Sequence, residues 1–252
     1  MTPHQYLEGV LANQDLKELE LAHLRDTRTQ IENWLRGGVG SGVRFYYGGS
    51  FAKRTMLRAG YDLDIILYFP STERSTLQDL FNRTYRRLID GRYTVVPRTV
   101  ALRLPYNGGF HIDVVPGKAQ DATFRYATLY RNEQPSSSLQ TSLKVHIDSV
   151  KDAGLSDIVR LLKLWRLRHD LDLPTFALEI AVQRAMHGVR RDDLATAMLT
   201  VLRELAGGFP QARLVDPANT NNVIDVSPSV RAAVAAQARR SDAEPSWMQV
   251  VW

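Results

Sequence analysis

The sequence predicts an α/β (α+β) protein of two lobes, a mixed-sheet lobe with a long N-terminal helix and a C-terminal helical lobe. Three observations predict it. Residues 15–36 are rich in Leu, Glu, Arg and Gln, lack Gly and Pro, and run into Gly37-Gly38, as a long helix with a glycine cap does. Between residues 43 and 115, short β-branched and aromatic runs alternate with Gly and Pro turns. From residue 156 onward the spacing of apolar residues becomes helical.

Taken in order, the glycine-rich stretch 37–42 is a loop feeding a strand at Val43-Arg44-Phe45-Tyr46-Tyr47. Gly48-Gly49-Ser50 then opens a short helix over 51–58, and the apolar run 63–69, ended by Pro70, is a buried strand. Leu77, Leu80, Phe81, Tyr85 and Leu88 fall at helical spacing within 76–88, closed by Asp90-Gly91. Two further strands are expected over 95–104 and 110–115, joined by a turn at Asn107-Gly108-Gly109. Four helices follow: 157–169 behind an N-cap at Ser156, 175–187, 192–206, and a last one opened by Ser227-Pro228 and running to 240. The boundaries that result are 1–36 for the bracing helical segment, 37–131 for the sheet lobe, 132–155 for a linker of small polar residues, and 156–252 for the helical lobe.

Composition narrows the function classes. The chain has 252 residues, 44% hydrophobic and 23% charged, enough for a real core and too apolar for a disordered protein. Its lack of cysteine excludes a disulfide scaffold, thiolate metal sites and a cysteine nucleophile. No apolar run approaches the ~20 residues that span a bilayer, so no membrane partner is expected. The start Met1-Thr2-Pro3-His4-Gln5-Tyr6 has no basic region followed by an apolar core, and a cytoplasmic location is the expectation. A net charge of +5 suits a nucleotide or nucleic-acid partner without requiring one. The same holds for the cluster Arg83, Arg86, Arg87, Arg92 and Arg98, which is either a contact surface or a solvated face.

Chemistry is concentrated in three short segments. In Asp62-Leu63-Asp64 the two carboxylates share one face of a strand and repel each other unless a cation lies between them. Asp113, between Ile112 and Val114, completes a three-carboxylate cluster if its strand is adjacent, and hard oxygen donors of this kind suit Mg²⁺ or Mn²⁺. Gly48-Gly49-Ser50 is a turn that can present backbone N–H groups and the Ser50 hydroxyl to a phosphate, with Lys53 or Arg54 nearby. His111 shares the Asp113 face, where a structural or hydrogen-bonding role is expected.

These segments together, Gly48-Gly49-Ser50-Phe51-Ala52-Lys53-Arg54-Thr55, Tyr61-Asp62-Leu63-Asp64-Ile65-Ile66 and His111-Ile112-Asp113-Val114-Val115-Pro116, resemble the signature of the polymerase-β-like nucleotidyltransferase superfamily. Arg160-Leu161-Leu162-Lys163-Leu164-Trp165, Leu173-Pro174-Thr175-Phe176-Ala177-Leu178-Glu179-Ile180 and Asp216-Pro217-Ala218-Asn219-Thr220-Asn221-Asn222-Val223 are similar to elements of its oligoadenylate synthase and bacterial cyclic-oligonucleotide synthase (CD-NTase) branch. The resemblance implies a two-lobed nucleotidyltransferase fold whose helical lobe closes a nucleotide cleft. It implies two Mg²⁺ (or Mn²⁺) ions held by Asp62, Asp64 and Asp113, and a nucleotide contacted by Gly49, Ser50, Lys163, Thr175 and Phe176. Read from the helix alone, Lys163 lies opposite the apolar stripe and is solvated; Thr175 is an N-cap and Phe176 a core ring.

The implied reaction is transfer of a nucleoside monophosphate from an NTP to a ribose hydroxyl, with pyrophosphate released and the product a cyclic or linear oligonucleotide messenger of bacterial antiphage signalling. NTPs are the implied substrates, and the resemblance leaves room for an activating nucleic acid or protein partner. Two alternatives stand: addition of nucleotides to an RNA 3′ end, as by CCA-adding or poly(A) enzymes, and a catalytically silent nucleotide-binding or antitoxin-like module.

Overall fold

The computed structural model describes residues 1–106, 110–133, 135 and 137–252. The chain folds as two compact units, and the chain crosses between them several times. A sheet unit comprises Leu16–Lys53 and Gly60–Val145, and a helical unit comprises Met1–Asp15, Arg54–Ala59 and His146–Trp252.

Helix α1 (Pro3–Asn13) belongs to the helical unit, and α2 (Glu18–Arg36) opens the sheet unit. In α2 the acidic first turn, Glu18 and Glu20, meets the positive end of the helix dipole, while Leu24, Thr27, Ile31 and Leu35 form the buried stripe. The expected single bracing segment 1–36 is therefore two helices in two different units. The signal for α1 lies in Thr2-Pro3-His4-Gln5: Thr2 Oγ1 accepts from the Gln5 N–H at 3.2 Å, and Gln5 Oε1 accepts from the Thr2 N–H at 2.9 Å, a capping box with proline in the first turn.

The sheet unit continues with β1 (Arg44–Tyr47), the one-turn helix α3 (Gly49–Ala52), β2 (Leu63–Phe69), α4 (Leu77–Asp90), β3 (Val96–Pro97), β4 (Leu102–Pro105), β5 (His111–Ala119), β6 (Ala127–Arg131) and β7 (Ser137–Thr141). The sheet runs β1-β2-β5-β4-β3, with β6 pairing both β5 and β7. Only β2 and β5 pair in parallel; the other neighbours are antiparallel. Six of the seven residues of β2 are buried, as expected of a strand covered on both faces.

Three expectations need correction here. The strand expected over 95–104 is broken by a turn in which the Arg98 N–H donates to the Ala101 carbonyl at 2.8 Å, leaving β3 and β4 as separate short strands. Strand β5 does not stop at Val115 but stays paired with β2 through Pro116 as far as Lys118. The segment 132–155 is not simply a linker, because Ser137–Thr141 forms β7 in register with β6. The turn expected at 107–109, and Gln134 and Ser136 of the linker, lie outside the described residues.

The division between the units falls within the short helix α5 (Leu143–Ile147), which runs into a π-helical turn, Asp148–Asp152. The helical unit then adds α6 (Ser156–Arg168), α7 (Thr175–Ala185), α8 (Leu194–Ala206), the hairpin β8 (Val215–Asp216) and β9 (Asn219–Val223), α9 (Pro228–Ala243) and α10 (Trp247–Val250). Ser156 is the first residue of α6 rather than its cap, whereas Asp193 and Ser227 do cap α8 and α9 through their side chains. The core of this unit gathers Leu7 and Leu11 of α1, Leu161 and Trp165 of α6, Met198 and Val201 of α8, and Val234 of α9. Trp165 is fully buried, and its indole N–H donates to Ser241 Oγ at 2.9 Å, which satisfies the one polar atom of the ring.

Candidate active site

The parallel pairing of β2 and β5 sets Leu63 beside Ile112 and Asp64 beside Asp113. Leu63 and Ile112 are fully buried. Alternation along the strands therefore turns Asp64 and Asp113 together onto the opposite face. Asp62 sits just before β2 with its side chain 43% exposed.

The glycine turn lies against these carboxylates. The Gly48 N–H donates to the Asp64 carbonyl at 2.9 Å. Gly49 has a φ of +50°, and a Cβ added there would overlap the Asp64 carboxylate, so backbone conformation and close approach both require glycine. The Ser50 hydroxyl beside it is buried and has no hydrogen-bond partner among the described residues.

Two nitrogen-bearing side chains border the carboxylates. Arg103 of β4 is the register partner of Asp113, and its Nε and Nη2 donate to the two Asp113 oxygens at 2.8 and 2.7 Å. Its bond to Asp113 raises the guanidinium pKa above the ordinary value against the opposing effect of burial, and the charges of Asp113, Asp62 and Asp64 add to the rise. His111 Nε2 lies 3.2 Å from Asp62 Oδ2 and 3.7 Å from Asp113 Oδ2, but is not aligned for a hydrogen bond to either.

The sheet unit thus brings Asp62, Asp64, Asp113, Gly49 and Ser50 to one end of the β2–β5 pair. The expected three-carboxylate ligand set is not assembled, since no three His, Cys, Asp or Glu side chains among the described residues are grouped to hold an ion. Both Asp113 oxygens are instead engaged by Arg103. The donor chemistry nevertheless fits a hard divalent cation, because the side chains are oxygen donors, the glycine turn lets the backbone lie directly against the Asp64 carboxylate, and Ser50 offers a buried hydroxyl without a partner among the described residues.

The other expected site residues belong to the helical unit, and two of the three, Lys163 and Thr175, differ from the helix-based reading. Lys163 is not solvated but 7% exposed, and its ammonium donates to the Thr55 carbonyl at 2.8 Å. Helix α6 is buried around most of its circumference, from Ile158 through Trp165, so the face opposite its apolar stripe does not reach water. Thr175 is not an N-cap: Pro174 holds that position, and Thr175 Oγ1 accepts from Arg166 Nη1 at 2.9 Å. Phe176 is half-buried against the core, with its ring 5.0 Å from that of His146 in an edge-on arrangement.

His146 was not singled out in the sequence. Its Nε2 lies 2.7 Å from Oδ1 of the buried Asp216, which also accepts from the Ala218 N–H at 2.8 Å and from Asn222 Nδ2 at 3.0 Å. Burial alone would raise the Asp216 carboxyl, but these bonds and the neighbouring imidazole hold it below its ordinary value. The Asp-Pro and Asn-Asn segment is thus the polar hairpin β8–β9. Of the arginine cluster, Arg83 is tied to Val39, Glu73 and Ser75, and Arg87 bonds the Trp34 carbonyl while stacking on its ring at 3.7 Å. These two side chains are structural.

The sequence matches no family model. It is 26% identical over 180 residues to a cyclic AMP-AMP-AMP synthase of Escherichia coli (strain MS 115-1), and the match covers 64% of this chain and only 56% of that relative. The cyclic AMP-GMP synthase DncV of Vibrio cholerae, solved with a linear intermediate, superposes with a TM-score of 0.76 at 16% identity, over 97% of this chain and 92% of that one. The CD-NTase CdnG of Bradyrhizobium diazoefficiens, solved with GTP, does so with a TM-score of 0.72 at 16% identity, over 97% and 95%. The chain shares the two-lobed nucleotidyltransferase fold of these solved structures.

Proposed function

We propose that the protein is a metal-dependent nucleotidyltransferase that moves a nucleoside monophosphate from an NTP to a ribose hydroxyl, makes a cyclic or linear oligonucleotide, and releases pyrophosphate. The observation that carries this reading is the in-register placement of Asp64 and Asp113 on parallel strands, with Asp62 and the Gly48-Gly49-Ser50 turn against them. Kinship with a cyclic trinucleotide synthase supports the product class.

Asp62, Asp64 and Asp113 would hold two Mg²⁺ or Mn²⁺ ions. Bound there, such ions acidify the attacking hydroxyl and offset charge on the departing pyrophosphate. The chain's own task is then positioning, since phosphoryl transfer of this kind needs no covalent nucleophile. Gly49 lets the backbone of the turn lie directly against the Asp64 carboxylate, where a Cβ would collide with it, and the Ser50 hydroxyl is the group that would donate to a phosphate oxygen. Lys163, Thr175 and Phe176 are assigned to the nucleotide on the family motif, Lys163 and Thr175 for phosphate and Phe176 for the base. Bacterial antiphage signalling and an activating nucleic acid or protein partner belong to the same reading. A cytoplasmic site of action belongs to the same reading; among the described residues no helix is long and apolar enough to cross a membrane.

The test is chromatography of labelled NTPs incubated with the protein and Mg²⁺ or Mn²⁺, beside an Asp62→Ala/Asp64→Ala variant. A phosphatase-resistant product made only by the unaltered protein is expected. Products formed only on added RNA would replace this reading with the 3′-end transferase, and absence of any product with every NTP, metal and nucleic acid tried would favour the silent module.

A further inference from the structure

The grip of Arg103 on Asp113 is more than the fold requires. Arg103 lies between the buried Leu102 and Leu104 of β4, so alternation alone turns its side chain to the face that carries Asp64 and Asp113. A lysine would have supplied the same counter-charge to Asp113. Instead a planar fork takes both carboxylate oxygens, at 2.8 and 2.7 Å, the geometry in which a carboxylate has least left to offer another cation. Asp113 is only 14% exposed, so water does not satisfy it if the fork is withdrawn. Arg103 is 30% exposed and can move its own head group into solvent, so Asp113 then needs another cation. His111, 3.7 Å from Asp113 Oδ2 and not aligned for a bond, does not substitute for the fork.

We infer that Arg103 is an internal counter-ion that occupies the third carboxylate in place of a divalent cation and gives it up when the cation binds. Arg103 is in this sense a positioning residue and latch for the metal site, and the inference rests on the reading of Asp62, Asp64 and Asp113 as metal ligands given above. Its consequence is competition: the intrinsic affinity of the three carboxylates for a cation is reduced by the fraction of molecules in which Asp113 is held. Removing the fork therefore tightens metal binding while loosening the metal-free protein. That pairing distinguishes a latch from an ordinary structural salt bridge.

The experiment compares the full chain with Arg103→Gln and Arg103→Lys, measuring Mn²⁺ binding by electron paramagnetic resonance without nucleotide, and thermal unfolding in EDTA and in Mn²⁺. Loss of a bidentate charged pair is expected to tighten Mn²⁺ binding about tenfold or more in Arg103→Gln. Arg103→Lys falls between, because an ammonium cannot hold both oxygens. Both variants unfold earlier than the unaltered protein in EDTA, and Mn²⁺ restores most of the difference. Should Arg103→Gln not fold, Arg103→Lys carries the same comparison. Unchanged or weaker Mn²⁺ affinity, with unfolding lowered equally in EDTA and Mn²⁺, overturns the latch and leaves the metal reading standing. Mn²⁺ binding that is absent throughout, or that survives unaltered in Asp62→Ala/Asp64→Ala, overturns the metal reading and the latch together.

Discussion

Replacing Gly49 by alanine probes the carboxylate site at its tightest point. Two costs can be worked from the structure. The first is conformational: Gly49 has a φ of +50°, and an L-residue held in the left-handed region costs about 1–2 kcal/mol. For a protein of this size that lowers the unfolding temperature by roughly 2–8 °C. The second is local: the new Cβ would overlap the Asp64 carboxylate, which must retreat by about 1 Å or more, a displacement that costs on the order of 10²-fold in rate. Gly60→Ala is the control, since a Cβ there meets nothing within 4 Å. The assay is the initial rate of pyrophosphate release beside a thermal melt for each variant. Gly49→Ala should melt a few degrees early and lose about two orders of magnitude in turnover, while Gly60→Ala matches the unaltered protein in both. Turnover of Gly49→Ala within about threefold of the control would refute the argument that the glycine turn sets the position of Asp64.

Two further predictions concern the helical unit. Trp165→Ala empties a fully buried site and removes the shorter of two hydrogen bonds to Ser241 Oγ, so denaturant unfolding should show a loss of about 3–5 kcal/mol. Asp216 gives a pH dependence: its carboxyl is depressed in the folded state, so its stabilising contribution is present above the ordinary aspartate value of 3.8 and is lost as pH falls through the folded value. Asp216→Asn should be less stable at neutral pH and show a flatter acid limb; parallel acid limbs in the two proteins would contradict this.

The parts of the fold legible in the sequence are those encoded over a few neighbouring residues. The apolar run of β2 between breakers, the stripe of α4 and the side-chain cap Ser227 all carry their signal locally. The same is true of Asp62-Leu63-Asp64 beside a glycine turn. Strand β7 was illegible because Ser137–Thr141 is mostly polar, with four of its residues lacking the apolar alternation of a core strand. Helix α1 also carries its signal locally, in the capping box of Thr2 and Gln5.

What could not be read depends on register and on distant chain. Arg103 is one arginine between two leucines, and only the β4–β5 pairing makes it the partner of Asp113. Lys163 looks solvated on a helical projection, yet the segment Arg54–Ala59 belongs to the helical unit and offers it the Thr55 carbonyl from 108 positions away. Arg160 shows the same dependence, bonding the Met56 and Leu11 carbonyls. His146 acquires meaning only through the hairpin that brings Asp216 to within 2.7 Å.

The central claim is that Asp62, Asp64 and Asp113 act together on an NTP through divalent cations. Pyrophosphate release tests it most directly, measured over a Mg²⁺ titration for the unaltered protein and for Asp64→Asn, a substitution that removes the charge while keeping the shape. The account predicts release that requires the metal, saturates with it, and falls by at least about 10³-fold in the variant. Release that persists in EDTA, or that Asp64→Asn sustains at an undiminished rate, would contradict it.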